Sequence, residues 1–380
     1  MNEELMRRAL RLAARARGNT SPNPMVGALL IKGERILGQG YHHKAGQPHA
    51  EIEAISDAER RGFSPKGATL YVTLEPCSTY GRTPPCTEAI IAAGIKQIMI
   101  GTLDPNPKHA GRGLQLLAAA GIAVEMAEGK LAEACVDLNE VFNHWIVAGT
   151  PWVTVKAAMT LDGKIATESG QSKWITSEAA RRSAMRLRYA SDAILVGVNT
   201  VIADDPSLTV RVGQTAKPRP LLRLVLDPHA RIPLSARMLN DAQAHLTRVV
   251  VGPGARKKTV AALEKKVRVL RCPESESGTL DLSWLLGELG RQEVTSLLVE
   301  GGGETVAAFL EQKLARGIMF FYAPKVLGGA RARRSVGGRG AEKREDFTGL
   351  QKLQWRKVGP DLLLQAWIQQ RVARNTRKSA

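Results

Sequence analysis

His49, Glu51, Cys77 and Cys86 are the residues of this chain whose types and spacing could do chemistry. They stand in Pro48-His49-Ala50-Glu51, in Glu75-Pro76-Cys77, and at Cys86 nine positions further on. One imidazole and two thiolates make three soft ligands and leave the fourth tetrahedral position for water, as in a catalytic zinc site. Zinc held this way draws the pKa of water toward neutrality. Glu51, two residues beyond His49, would lie beside the metal without ligating it, placed to shuttle protons. A structural zinc site usually has four protein ligands, and the other two cysteines, Cys135 and Cys272, are far off in sequence. Cys135 falls on an apolar helix face, where a buried core thiol is the simpler reading. His-x-Glu alone is a weak signal, but with Glu-Pro-Cys and a second Cys it is strong.

The second half of the chain offers less specific features. Val299-Glu300-Gly301-Gly302-Gly303-Glu304-Thr305 joins an apolar run to a helical one. Its glycines would let a phosphate approach unpaired N–H groups at a helix start, or simply form a turn; the motif alone does not choose. It is not the Rossmann fingerprint, because Val306 stands where the third Gly would fall. Lys156 sits inside an apolar strand pattern, where lysine is rare unless paired or functional. Arg188 and Arg211 are candidates for holding phosphate, against the alternative of solvated surface charge. Ala203-Asp204-Asp205-Pro206 reads as ordinary turn chemistry.

The elements that must position these residues follow from periodicity. Helical spacing covers Glu4 to Arg15, and the Pro- and Gly-rich segment 18–24 then forces a loop. Val26–Ile31 and Ile36–Gly38 read as a hairpin. A helix from His49 to Arg61, a strand Ala68–Leu74, a loop Pro76–Pro85, a helix Thr87–Ala93, a strand Ile95–Gly101 and a helix Leu131–Trp145 complete an α/β layered domain over 1–148. Beyond Gly149-Thr150-Pro151, six short apolar runs read as buried strands: Trp152–Ala158, Ala193–Val198, Leu221–Leu226, Arg248–Val251, Arg268–Leu270 and Ser296–Glu300. Helices Glu178–Tyr189 and Thr305–Gln312 separate some of them. This gives a second sheet domain over 149–369, and 370–380 reads as a disordered basic tail.

Composition bounds the function. The 380 residues are 44% hydrophobic, enough for two cores. Four cysteines argue against a disulfide scaffold and for a reducing compartment. The apolar stretch Leu114–Val124 is about half of what a transmembrane helix needs, and the acidic opening is unlike a signal peptide. A cytoplasmic protein with no membrane association is expected. The net charge of +18 is lopsided: residues 1–149 carry +1 and residues 150–380 carry +17. Such asymmetry makes nucleic acid an early suspect. An RNA-binding deaminase, however, calls for aromatic stacking platforms on a basic face, and only 4% of residues are aromatic. A non-catalytic zinc-stabilised protein gives no reason for Glu51.

His-x-Glu with Pro-Cys and a second Cys is the signature of zinc-dependent nucleobase deaminases. The usual spacing there is Pro-Cys-x-x-Cys, whereas eight residues separate Cys77 from Cys86 here. That longer loop, together with Ser21-Pro22-Asn23-Pro24-Met25-Val26-Gly27, resembles the deaminase half of the bifunctional riboflavin-biosynthesis deaminase/reductases. Val153–Ala166, Ser172–Ser177, Asp192–Gly197, Thr200–Arg211 and the Glu300 turn resemble the reductase half, so the likeness spans residues 1–368. It implies a cytidine-deaminase-like α/β/α domain followed by a dihydrofolate-reductase-like mixed-sheet domain. It implies Zn2+ and NADPH as cofactors and a phosphorylated pyrimidine as substrate, no nucleic-acid partner, and a homo-oligomer. In residues, it implies that Asn23 and Arg82 contact the deaminase substrate. Ala158, Trp174, Thr200, Asp204, Gly302 and Gly303 would contact NADPH, and Ser172, Arg188, Leu208, Arg211 and Glu300 the ribosyl phosphate. Lys156 would polarise or protonate the sugar. The chain departs from the family at Glu53, where a second His is common, and at Pro228, where a small polar residue is common.

Overall fold

The computed structural model describes residues 1–80, 84–210 and 219–370. Two compact units emerge. The first comprises 1–151 with Arg219 and Gly290–Thr295, and the second holds most of the remaining chain.

In the first unit the elements run α1 (Glu3–Ala14), β1 (Gly27–Lys32), β2 (Arg35–Tyr41), α2 (Ala50–Arg60), β3 (Thr69–Val72), α3 (Cys86–Ala92), β4 (Gln97–Ile100), α4 (Arg112–Ala119), β5 (Ala123–Met126), α5 (Gly129–Leu138) and α6 (Glu140–Ala148). The sheet order is β2-β1-β3-β4-β5, with β1 antiparallel to both neighbours and β3, β4 and β5 parallel. Strand alternation sorts the core into two layers. Ala28, Leu30, Leu70, Val72, Ile98 and Ile100 face Ala54, Ile90 and Leu117 of α2, α3 and α4. Leu29, Ile31, Tyr71 and Met99 face Met6, Ala9, Leu12 and Cys135 of α1 and α5. This is an α/β/α sandwich, and Cys135 is core. A Cβ on Gly38 would strike the Ala54 carbonyl, so only glycine lets α2 press this closely on β2. The expected helix Leu131–Trp145 is two helices, because Asn139 leaves helical geometry. Its side chain accepts from the Met25 N–H at 2.8 Å and donates to the Met25 carbonyl at 2.9 Å, an exchange with distant backbone.

The second unit continues with β6 (Trp152–Thr160), β7 (Lys164–Ala166), α7 (Glu178–Ala190), β8 (Ala193–Gly197), α8 (Val198–Asp204), β9 (Leu222–Leu226), β10 (Thr247–Val251), α9 (Lys257–Glu264), β11 (Arg268–Arg271), α10 (Leu282–Arg291), β12 (Ser296–Val299), α11 (Gly303–Glu311), β13 (Gly317–Ala323), β14 (Arg333–Arg334), β15 (Leu350–Val358) and β16 (Asp361–Ile368). Nine strands form one sheet in the order β11-β10-β9-β8-β12-β6-β13-β16-β15. The first seven are parallel and β16 and β15 close it antiparallel, a mixed sheet of the dihydrofolate-reductase type. The turn expected at Ala203-Asp204-Asp205-Pro206 begins only at Asp205: α8 runs through Asp204, and Asp205 caps it at φ 39°. No helix among the described residues is long and apolar enough to cross a membrane.

Candidate functional site

The first unit gathers its three candidate ligands from three elements. His49 is the N-cap of α2, Cys77 lies in the loop after β3, and Cys86 opens α3. Their donor atoms all lie within 4.8 Å of one another. His49 Nδ1 is 3.2 Å from Cys86 Sγ and 3.6 Å from Cys77 Sγ. A tetrahedral ion with zinc–ligand bonds of ordinary length separates its ligand atoms by about 3.5–3.8 Å. Donor set and spacing therefore fit zinc. Hydrogen bonding from Cys86 holds the Cys77 thiol well below its ordinary value, with His49 assisting, while the same bond and burial raise Cys86. A cation bound here would favour the thiolate form of both. His49 is raised, chiefly by its hydrogen bond to Cys77.

Glu51 lies one helical step inside α2 and is 3% exposed. Burial lifts its carboxyl to about 7, and the charge on Cys77 adds to the effect. It opens onto a cleft of about 330 Å³ that His49, Cys77 and Asn23 also line. Sequence reasoning missed several other residues of this cleft. His42, 2% exposed, accepts at Nε2 from the Asn23 amide at 3.1 Å and donates from Nδ1 to the Pro48 carbonyl at 3.0 Å. Burial lowers its pKa, in keeping with a neutral ring. Glu75 accepts three backbone N–H bonds, from Asp104 at 3.2 Å, Gly111 at 3.0 Å and Gly113 at 2.9 Å. It thereby holds the segment that brings Asp104, Asn106 and His109 to the cleft. Phe142 and Trp145 of α6 supply an apolar wall. The Glu-Pro-Cys motif was the one sequence signal for Glu75, and the adjacent His42-His43 pair the one for His42. Arg82 lies outside the described residues.

In the second unit, β12 lies between β8 and β6 and parallel to both, so the carboxyl ends of the three strands lie side by side. Glu300 follows β12 directly. Its carboxylate takes a bidentate pair from Arg188 of α7, Nε to Oε1 and Nη2 to Oε2, both at 2.9 Å. Lys156 of β6 places Nζ 3.7 Å from Glu300 Oε2. Burial would raise the Glu300 carboxyl, but Lys156 and Arg188 outweigh it and hold it down at about 2. Two cations and one anion leave this group with a net positive charge, suited to an anionic ligand. Arg188 also donates to the Thr209 carbonyl at 3.3 Å.

The glycine turn beside it divides by role. A Cβ on Gly301 would strike Thr305, and one on Gly303 the Arg334 carbonyl, so packing forbids both. A Cβ on Gly302 would meet only Thr200 Oγ1, at 3.9 Å. The space that side chain would fill lies at the N-terminus of α11, a cradle that fits a phosphate of the cofactor. Ala158 is half-buried on β6 and Asp204 exposed at the end of α8. Ser172 is half-buried, and Trp174 is 65% exposed with the Arg181 guanidinium 4.4 Å from its ring centre. The Leu208 side chain is buried in the core against β8 and β9, so the group it can offer a ligand is its backbone. Arg211 lies outside the described residues.

Two family models match the chain: the RibD C-terminal domain over residues 151–364, and the cytidine and deoxycytidylate deaminase zinc-binding region over residues 1–102. The riboflavin biosynthesis protein RibD of Aquifex aeolicus is 44% identical over 364 residues, covering 96% of this chain and 98% of that one. That of Escherichia coli is 41% identical, covering 96% and 98%. Among solved structures, Acinetobacter baumannii RibD superposes with a TM-score of 0.82 at 35% identity, covering 97% of this chain and 99% of that one. A diaminohydroxyphosphoribosylaminopyrimidine deaminase/5-amino-6-(5-phosphoribosylamino)uracil reductase of Thermotoga maritima gives 0.79 at 32% identity, covering 96% and 98%.

Proposed function

This chain belongs to the RibD family of riboflavin-biosynthesis enzymes, a bifunctional deaminase and NADPH-dependent reductase, and from that footing we propose which residues carry each reaction. The deaminase is assigned to residues 1–148 and the reductase to 149–369, with 370–380 a basic tail. Hydrolytic deamination of 2,5-diamino-6-ribosylamino-4(3H)-pyrimidinone 5′-phosphate comes first, and reduction of the ribosyl group to ribityl phosphate follows.

For the first reaction, His49 Nδ1, Cys77 Sγ and Cys86 Sγ hold zinc, which when bound supplies a Lewis acid that makes water a stronger acid near neutral pH. The Glu51 carboxyl takes the proton from water and gives one to the departing amino nitrogen, so that ammonia leaves neutral. Asn23, fixed by neutral His42, orients the ring, and Arg82 contacts the substrate. For the second reaction, Gly302, Gly303, Thr200, Ala158, Trp174 and Asp204 hold NADPH, which supplies the hydride. Lys156 donates a hydrogen bond or proton to the sugar oxygen as the carbonyl is reduced, aimed by Glu300. Ser172, Arg188, Arg211, Glu300 and the Leu208 backbone place the ribosyl phosphate.

One observation carries the reading: a buried carboxyl, Glu51, lines the same cleft as His49 and Cys77 of a His/Cys/Cys donor set. The four free cysteines accord with a cytoplasmic location, which belongs to the same proposal, as does assembly with further copies of the chain. The test is ammonia release from the pyrimidinone coupled to NADPH oxidation, with zinc content measured on the same sample. Zinc-loaded protein that releases no ammonia would overturn the deaminase assignment, and absence of NADPH oxidation with the deaminated substrate would overturn the reductase one.

A further inference from the structure

β6 and β13 run parallel and side by side, so the turn after β6 and the loop after β13 leave the sheet together. Asp162 ties the two. Its Oδ1 accepts from Thr160 Oγ1 at 2.6 Å and from the Leu327 N–H at 3.1 Å, and its Oδ2 from the Gly328 N–H at 2.8 Å. The Thr160 hydroxyl, helped by these N–H groups, holds the carboxyl down at about 2, so the joint keeps its charge near neutral pH. On the other side, the Leu161 N–H donates to the Lys325 carbonyl at 2.8 Å. The backbone of Lys325 is thereby fixed from both directions.

From this joint the Lys325 side chain reaches the segment that leads into α7. Its Nζ donates to the Trp174 carbonyl at 3.2 Å and to the Ile175 carbonyl at 2.8 Å. The next carbonyl, that of Thr176, accepts from Arg181 Nη1 at 2.9 Å. Three successive carbonyls of one segment therefore each accept from a cationic side chain. Asp361 ends the segment, accepting from the Ser177 N–H at 2.8 Å and from its hydroxyl at 2.6 Å. The Trp174 indole is largely exposed, so burial does little to orient it, and its attitude depends on these bonds and on the Arg181 guanidinium over its ring. Among the described residues no carboxylate pairs with Lys325, so its ammonium is committed to the two carbonyls. Lys325 is itself exposed, and removing it leaves no cavity.

We propose that Lys325, fixed by Asp162, is a positioning residue of the reductase: it holds the Trp174 segment in the shape that receives NADPH. The inference rests on the reductase assignment of this unit and on Trp174 as a cofactor contact. Calorimetric titration of the full-length protein with NADPH, without substrate, tests it. Lys325→Met is expected to raise the Kd about tenfold, the effect of leaving roughly one residue of backbone to be ordered on binding. Lys325→Arg should recover most of the loss, since it keeps a charged donor for the carbonyls. Asp162→Asn, which keeps one carbonyl acceptor, should show a smaller loss of the same sign. The decisive measurement is a double-mutant cycle. Trp174→Ala should weaken NADPH binding by itself, and adding Lys325→Met to it should change the Kd by less than about twofold, because the two residues act through one contact. A general loosening of the fold would instead weaken binding by the same factor in either background, and that result overturns the proposal. So does wild-type affinity in Lys325→Met or in Trp174→Ala. Wild-type protein that binds no NADPH overturns the reductase assignment beneath it.

Discussion

Glu51 and Glu300 are both buried carboxyls, yet their surroundings drive them in opposite directions. Glu51 faces sulfur, and burial raises it to about 7, with the Cys77 charge adding to the rise. Glu300 faces Lys156 and Arg188, which overcome burial and hold it at about 2. The first is suited to moving a proton and the second to staying charged. Glu51→Gln should keep the zinc, because Glu51 is not among the ligands, and should lower ammonia release about 10²- to 10⁴-fold. Zinc analysis beside an ammonia assay checks both halves, and full ammonia release with zinc bound would remove Glu51 from the mechanism. For Glu300 the sign follows from linkage: its folded pKa lies below the ordinary 4.5. Its stabilisation is fully present above about 4.5 and is lost as pH falls toward about 2. The stability advantage of wild type over Glu300→Gln, read from urea midpoints, should be constant from pH 7 to pH 5. By pH 3 it should have shrunk by roughly half or more, and an advantage that stays flat to pH 3 would mean that the two cations do not hold Glu300 down.

At the scale of elements, the metal centre depends on how closely α2 lies on the sheet and how the loop after β4 is held. Glu75 does the second job by accepting the N–H groups of Asp104, Gly111 and Gly113 from within a buried site. Glu75→Ala would leave these donors without their acceptor, costing about 2–4 kcal/mol. It would also release the segment carrying Asp104, Asn106 and His109, so the denaturation midpoint and ammonia release should fall together. Glu75→Gln, which keeps one carbonyl acceptor, should lose less of both. The strands and helices around this site were legible in the sequence because they alternate cleanly: Val26–Ile31, Ala68–Leu74 and Ile95–Gly101 each contain a strand of the sheet. The proposed metal ligands stand out in the sequence because soft donors at these spacings have few other uses. Glu75, His42 and Asp104 were not, because their roles arise from backbone and ring partners 6 to 38 positions away. In the second unit β13, β15 and β16 also escaped notice. Leu350–Val358 is exposed along nearly its whole length and so lacks the apolar period that marks a strand. Lys156 showed itself by being out of place in an apolar run, but its partner Glu300 is 144 positions away and only the sheet order brings them together.

Over the whole molecule, the division near Gly149 that charge and periodicity suggested has a complication that sequence could not reveal. Gly290–Thr295, from deep in the second half, belongs to the first compact unit, where the Trp145 indole donates to the Gly290 carbonyl at 3.1 Å. Contacts of such long sequence separation leave no local pattern to read. The +17 carried by residues 150–380 likewise has a local account only in part. Lys156 and Arg188 serve Glu300 and Arg223 is fully buried on Asp241, while many others are exposed. The two proposed sets of residues nevertheless share no member: His49, Glu51, Cys77 and Cys86 lie in one unit, and Lys156, Thr200, Glu300 and Gly302 in the other. Removal of zinc should therefore separate the activities. A strong chelator such as dipicolinate should abolish ammonia release, and added zinc should restore it. NADPH oxidation with the already deaminated substrate should persist at its untreated rate, because none of the residues proposed for it is among the candidate metal ligands. Concurrent loss of both, with both restored by zinc, would instead mean that the second unit depends on the metal centre of the first.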